Sequence, residues 1–296
     1  MFNWITYAFA SVSSLATKDI LQKKIAKKNG VYSILSVQNF FSLIISLIIA
    51  LFLGISLTLD REGLIFCLIA LLQSIGSIGK ANAIDVNMSA TSIVNSFSPI
   101  FPIILAFIFL NEFVYFNPRS LEGLIRIFTL ILLPIVILLL KSNKLGRKGK
   151  TNAFWIINIL LQLVFHGLTT FLNKYYLDFN NIWKNIVYTR IVTFIVSSLF
   201  MLMKKEKWER TPKFLGKGFL NGSLIIFSAS THRTAVVLSP LSIYQTFRKP
   251  LLIIFSTLAG MQIFKEGKKL NKKQIAGFIL GLISLLFIIF TSLQLK

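Results

Sequence analysis

The sequence has few of the residues on which most catalytic and metal sites depend. Its 296 residues include a single cysteine, Cys67, two histidines and ten acidic residues. An internal disulfide is therefore impossible, and no cysteine cluster can hold a metal ion. The ATP-binding motif G-x-x-x-x-G-K-[ST] and the hydrolase motifs H-E-x-x-H and G-x-S-x-G are also absent from the sequence. We therefore expect a protein that is not an enzyme, binds no metal or cofactor, and does not use ATP.

Apolar residues, in contrast, are in excess. They make up 55% of the chain, and the mean hydropathy is +0.74, whereas soluble domains are about 45–50% apolar. A helix needs about 20 apolar residues to cross the hydrocarbon core of a bilayer, and the apolar runs divide into ten such segments. The composition thus predicts an all-α membrane protein with ten transmembrane helices. The third, fourth and ninth are predicted at about 63–79, 86–110 and 237–264.

The net charge of +22 is concentrated in short clusters between the apolar segments. Twenty of the 32 basic residues fall in loops that lie on the same side of a ten-helix arrangement, at 23–28, 141–150, 204–217 and 265–273. No aromatic residues interleave with them as in a nucleic-acid surface, so we expect no nucleic acid to bind. The positive-inside rule places these loops in the cytoplasm and both termini on the opposite side. The cell's inner or plasma membrane is expected, with an organelle membrane as the alternative.

A weak internal repeat divides the chain into two halves. The stretch NEFVYFNPRSLEGLI (111–125) matches KEGKKLNKKQIAGFI (265–279) in its glutamate, asparagine and glycine, and Pro99 corresponds to Pro250. This predicts two copies of a five-helix unit, with a nearly constant offset between them. Five is odd, so the second copy is inverted in the membrane relative to the first. Inverted repeats are typical of secondary transporters, whose substrate site lies between the repeats near the middle of the bilayer.

The repeat predicts the domain organisation directly. The first five-helix repeat is expected at 1–140, the second at 153–296, and a basic loop at 141–152 joins them. The loops are too short for a separate soluble domain.

Two motifs resemble the drug/metabolite transporter (DMT) superfamily, in particular its EamA-like branch. SATSIVNSFSPIFPIILAFIFLNE (89–112) resembles the family's fourth-helix signature, and KEGKKLNKKQIAGFILGLISLLF (265–287) resembles the end of its second repeat. Arg190 resembles the arginine that often opens the seventh helix. The resemblance covers nearly the whole chain. It implies ten helices, a central cavity and alternating access without covalent chemistry.

The stretch TFRKPLLIIF places two adjacent cations, Arg248 and Lys249, inside the ninth segment. With a start near 237, Arg248 is expected about 16 Å along the helix, close to the middle of a bilayer about 30 Å thick. Tyr244 and Gln245 lie one turn earlier and extend the polar stripe. The cations could contact substrate, pair with an acid, or reach the interface. The pair also resembles the basic pairs of nucleotide-sugar transporters and sugar-phosphate translocators.

Five further residues are weaker candidates. Lys80, Arg190 and Asn95 are predicted to contact the substrate, with membrane anchoring or structural hydrogen bonds as the alternative for each. His166 and His232 are the only histidines, and either could carry a coupling proton because histidine titrates near neutral pH. A structural role is the alternative for both.

These observations predict a gradient-driven transporter of a small polar metabolite, with an anionic solute favoured. A phosphorylated sugar, a nucleotide sugar or an organic acid would suit the cationic cavity. The first alternative is an exporter of amino acids or amphipathic drugs on the same fold. The second is a membrane subunit or lipid-handling protein that transports no solute. The expected partners are the solute and the lipid bilayer, and the expected oligomeric state is a monomer or homodimer.

Overall fold

The protein is predominantly helical in the residues that the structure describes. A computed structural model describes residues 3–26, 30–96, 98–140, 153–209, 211–264 and 272–292, and no strand occurs among them. The prediction of an all-α protein is confirmed. The elements are α1 (Trp4–Ala26), α2 (Val31–Phe52), α3 (Arg61–Ser96), α4 (Ile100–Phe109), a 3₁₀ turn (Glu112–Phe116), α5 (Leu121–Leu140), α6 (Ala153–Tyr176), α7 (Ile182–Met203), α8 (Pro212–Leu238), α9 (Leu241–Phe264) and α10 (Lys272–Ser292).

Several helices have the length and the apolar surface of membrane-spanning segments. Large apolar side chains point outward: Phe52 is 87% exposed, Ile108 66% and Leu286 65%. Apolar surface of this extent is stable against lipid rather than water. Four helices of the described chain are long and apolar enough to cross a bilayer: Tyr32–Phe52, Arg61–Lys80, Ala153–Tyr176 and Ile182–Met203. The protein is therefore an all-helical membrane protein, and ten crossings stay a prediction.

Helix α3 is longer than the sequence analysis predicts. A break was expected between segments at about 63–79 and 86–110, but α3 runs without interruption from Arg61 to Ser96. The reason is local, because no glycine or proline occurs between Lys80 and Ser96 to end the helix. The break comes instead at Pro99, because a proline disfavours helical geometry in the residue before it.

The helices form two compact units. Unit 1 contains Met1–Ser74 and Tyr175–Val237, and unit 2 contains Ile75–Lys174 and Leu238–Lys296. Each unit therefore combines helices from both halves of the sequence.

Compact units and sequence repeats are different divisions of a chain. The two repeats at 1–140 and 153–296 and their inverted relationship thus stay a prediction. The predicted basic loop at 141–152 lies outside the described residues.

In unit 1, α2 packs along α7 through small and polar side chains. The Asn39 amide donates to the Ser197 hydroxyl at 3.1 Å, and the hydroxyls of Ser36 and Ser198 are 2.9 Å apart. Small and polar residues are the usual contacts between membrane helices, because they allow close approach and supply hydrogen bonds. Gly222 of α8 approaches α2 as well, since an added Cβ would lie 2.9 Å from the Ser42 nitrogen.

The loop between α2 and α3 is fastened to the start of α7. The Lys184 ammonium lies 2.5 Å from the Asp60 carboxylate and 3.3 Å from that of Glu62. The Tyr188 hydroxyl lies 2.8 Å from the Thr58 carbonyl. The hydrogen bond from Lys184, followed by that from the Gly63 backbone N–H, holds the pKa of Asp60 below its usual range. An ion pair therefore joins this loop to α7.

This ion pair predicts a pH-dependent stability. A lowered pKa stabilises the fold above the ordinary value of about 4, and the contribution is lost as pH falls through the folded-state value. We expect Asp60→Asn to lower the melting temperature near pH 7, and the difference from the unsubstituted protein to shrink below pH 4. Thermal unfolding over a pH series measures this. A difference that is the same at pH 3 and pH 7 would contradict the ion pair.

In unit 2, α5 packs against α10, and both contact α9. Gly281 of α10 permits this approach, because an added Cβ would lie 3.3 Å from Ile254 and from Val136. The Arg126 guanidinium joins α5 to α10 by donating to the Thr291 carbonyl at 2.8 Å. Helix α9 thus has α5 and α10 as neighbours.

Candidate functional site

Helix α9 carries the adjacent cations Arg248 and Lys249. The helix begins at Leu241, directly after Pro240, and not near residue 237 as the sequence analysis predicts. The reason is that α8 continues to Leu238 and Pro240 separates the two helices. Arg248 consequently lies about 10 Å along the axis of α9. Both cations are half-buried.

The start of α9 is fixed by the buried carboxylate of Glu112. This carboxylate accepts the backbone N–H groups of Leu241 and Ser242, each at 2.7 Å, and the Ser242 hydroxyl at 2.6 Å. An anion is favourable here because the first N–H groups of a helix have no partner within the helix and carry partial positive charge. Just before the helix, the Lys174 ammonium donates to the Ser239 carbonyl at 2.8 Å. These contacts set the position of the cations on α9.

Four basic side chains come together in unit 2 around Lys249. Its ammonium donates a hydrogen bond to the Ser98 hydroxyl at 3.1 Å, and the charges of Lys80 and Arg248 lie near enough to repel it. The His166 imidazole is near enough to interact electrostatically with all three cations. The structure therefore groups residues of α3, α6 and α9 that are far apart in the sequence.

The two carboxylates of unit 2 whose side chains the structure describes have partners outside this cluster. They are Glu112 and Glu122. Glu112 accepts hydrogen bonds from the start of α9, and the negative charge of Glu122 attracts the Arg126 guanidinium. The Nε of Arg248 is buried and makes no hydrogen bond to any described residue. A guanidinium in this state has donors available for an anion.

Tyr244 and Gln245 lie one turn before the cations, as the predicted polar stripe requires. Tyr244 is fully buried and Gln245 is 4% exposed, so both side chains face protein rather than lipid. The Gln245 amide nitrogen makes no hydrogen bond to any side chain or backbone group that the structure describes. It is a second donor available beside the cations.

The remaining predicted site residues lie elsewhere. Arg190 and His232 belong to unit 1, on α7 and α8. Asn95 is in α3, and its side chain lies outside the described part of the chain. The cationic cluster thus contains Lys80, His166, Arg248 and Lys249, while the roles of all the candidates stay predictions.

Two residues at this site were missed by sequence reasoning: Ser98 as a partner of Lys249, and Glu112 as the cap of α9. Ser98 had no signal in the sequence, because corresponding positions of a repeat need not be in contact. Glu112 had only a general signal. A glutamate at the end of an apolar run in an acid-poor chain has to find hydrogen-bond donors when it is buried.

Comparison with known proteins returns no match, either to a family model or to a curated protein. The resemblance to the drug/metabolite transporter superfamily therefore depends on the sequence motifs alone and stays a prediction.

Proposed function

We propose that the protein is a gradient-driven transporter of a small anionic metabolite, which binds at Arg248 and Lys249. The observation that carries this proposal is the cationic cluster of unit 2, in which the charges of Lys80 and Arg248 lie near that of Lys249 and the buried Nε of Arg248 makes no hydrogen bond to any described residue. A chain that only anchored these cations would place them at helix ends, near water. Here they lie inside α9, directly before Pro250.

Energy favours an anionic ligand over a neutral one. A charged side chain inside a membrane helix is costly, by about 2.5–3.5 kcal/mol at the helix centre on insertion scales, and adjacent like charges add repulsion. A bound phosphate or carboxylate offsets both costs. Arginine can bind such a group through two parallel hydrogen bonds, while lysine supplies a compact charge. A phosphorylated sugar, a nucleotide sugar or an organic acid has the matching chemistry.

Movement of the solute follows from the same proposal. The predicted inverted repeats and the resemblance to the superfamily support alternating access around a central site. Pro250 interrupts the backbone hydrogen bonds of α9 beside the cations, and such interruptions are tolerated in membranes where they face protein or water. We place the protein in the plasma or inner membrane, with its basic loops in the cytoplasm.

A thermal-shift screen of the purified protein tests the proposal. We expect glucose 6-phosphate or an organic dianion at about 100 times its Kd to raise the melting temperature by about 5 °C or more. Glucose at the same concentration serves as the neutral control, and sodium chloride at matched ionic strength controls for salt. Stabilisation by neutral amino acids or amphipathic drugs, with none by anions, would favour the alternative exporter instead.

A further inference from the structure

Unit 1 contains a second pair of buried cations, Arg190 on α7 and Arg233 on α8. They are 7% and 5% exposed. The Arg233 Nε donates to the Asn185 side-chain oxygen. Its terminal nitrogens donate to the Thr189 hydroxyl at 3.1 Å and to the Ala229 carbonyl at 3.5 Å. Asn185 and Thr189 are one turn apart on α7, so Arg233 is held in a fixed orientation against that helix.

These bonds leave both the charge and several donors of the pair unused. All three acceptors of Arg233 are neutral, and they take three of its five N–H groups. Arg190 follows Thr189 directly, and its charge repels that of Arg233. The Nε of Arg190 is buried and makes no hydrogen bond to any described residue. The two guanidinium groups are therefore buried near each other, and they retain N–H donors that no described residue uses.

The carboxylates described in unit 1 are engaged elsewhere, and none of them pairs with Arg190 or Arg233. Each has a partner of its own: Asp19 with Lys18, Asp60 and Glu62 with Lys184, Asp178 with the backbone of Asn180 and Asn181, Glu206 with the backbone of Ser33, and Glu209 with Thr211. Within the described part of unit 1, the charge of the arginine pair is thus not compensated by the protein.

We propose that Arg190 and Arg233 form an oxyanion site in unit 1, which takes one phosphate or carboxylate group. Arg233 supplies a preoriented guanidinium, and Arg190 supplies a second one, whose Nε makes no hydrogen bond within the described chain. The group could belong to a soluble metabolite or to a lipid headgroup, since the recognition chemistry is the same. The site goes beyond the function proposed above, because its residues differ from the cationic cluster of unit 2.

The test uses the full-length protein, purified in a non-ionic detergent, with the unit 2 cluster disabled by Arg248→Gln and Lys249→Gln. Melting temperature is followed against inorganic phosphate, with sodium chloride at matched ionic strength as the control. A parallel series adds phosphatidylglycerol. We expect phosphate or the lipid to stabilise this background. Stabilisation by the lipid alone would identify a headgroup as the ligand.

Adding Arg190→Gln to that background should raise the concentration needed for half the effect by about tenfold or more, because a charge-assisted hydrogen bond is lost. Arg190→Lys, which keeps the charge, should retain part of the binding. Gel filtration of each variant confirms that it is folded. An unchanged response of Arg190→Gln would overturn the site. So would a background that no longer responds to either ligand, and in that case the unit 2 proposal could still stand.

Discussion

We expect Arg248→Gln and Lys249→Gln each to reduce uptake of the stabilising anion into proteoliposomes by at least about tenfold. A hydrogen bond to a charged group contributes about 1.5–3 kcal/mol, and each 1.4 kcal/mol corresponds to a factor of ten in affinity. The loss should be greater for Arg248, because its guanidinium can bind a phosphate through two hydrogen bonds whereas an ammonium cannot. Folding should be preserved, because glutamine is of similar length and each substitution removes one of two adjacent like charges.

Arg119→Gln is the matched control for this experiment. Arg119 belongs to the same unit and is exposed, so its replacement removes an equal charge without touching the cationic cluster. Its uptake should equal that of the unsubstituted protein. If all three variants take up the anion as fast as the unsubstituted protein does, Arg248 and Lys249 do not bind the solute. A uniform loss in all three would point to overall charge instead.

The second large effect is expected from Glu112→Ala. The substitution removes the acceptor of three hydrogen bonds at the start of α9 and leaves two buried N–H groups without a partner. Charge-assisted hydrogen bonds and unsatisfied buried donors are both costly, so the free energy of unfolding should fall by about 3 kcal/mol or more. Transport should fall as well, because α9 positions Arg248 and Lys249. Thermal unfolding of the purified variant measures the first effect.

Glu112→Gln and Glu122→Gln make this prediction specific. The amide of Glu112→Gln keeps one acceptor oxygen and the size of the side chain, so its melting temperature should lie between those of the alanine variant and the unsubstituted protein. Glu122 is half-buried in the same unit, and Glu122→Gln should lower stability less than Glu112→Ala, because it weakens one charge interaction with Arg126 and removes no helix cap. If Glu112→Ala and Glu122→Gln have the same melting temperature, the capping interaction does not stabilise α9.

Sequence composition was sufficient for the class of the protein. An apolar excess with clustered charge predicted helices in a membrane, and the described chain is helical with four candidate spans. Not every proline of this chain ends a helix. Pro99 and Pro240 separate helices, whereas Pro134 and Pro250 lie inside them. The sequence between Lys80 and Ser96 was read as the start of a new segment, yet it contains nothing that ends a helix.

The site was predictable only in part, because its contacts are distant in the sequence. Arg248 and Lys249 were visible as adjacent charges in an apolar run. Their grouping with Lys80 and His166 depends on the packing of three helices, which no local pattern encodes. Glu112 caps a helix that begins 129 residues later, so its role needed the tertiary structure. The burial of Arg233 against Asn185 likewise depends on a contact between two helices, which no local pattern encodes.

Counterflow most directly tests the claim that the protein carries an anion across the membrane. Proteoliposomes are loaded with the anion that gives the largest thermal stabilisation, and entry of the labelled anion is followed after dilution. We predict saturable uptake that exceeds uptake by empty proteoliposomes and is lost in Arg248→Gln. Uptake equal to that of protein-free liposomes, for every anion that binds, would contradict transport and leave a membrane protein that binds anions without moving them.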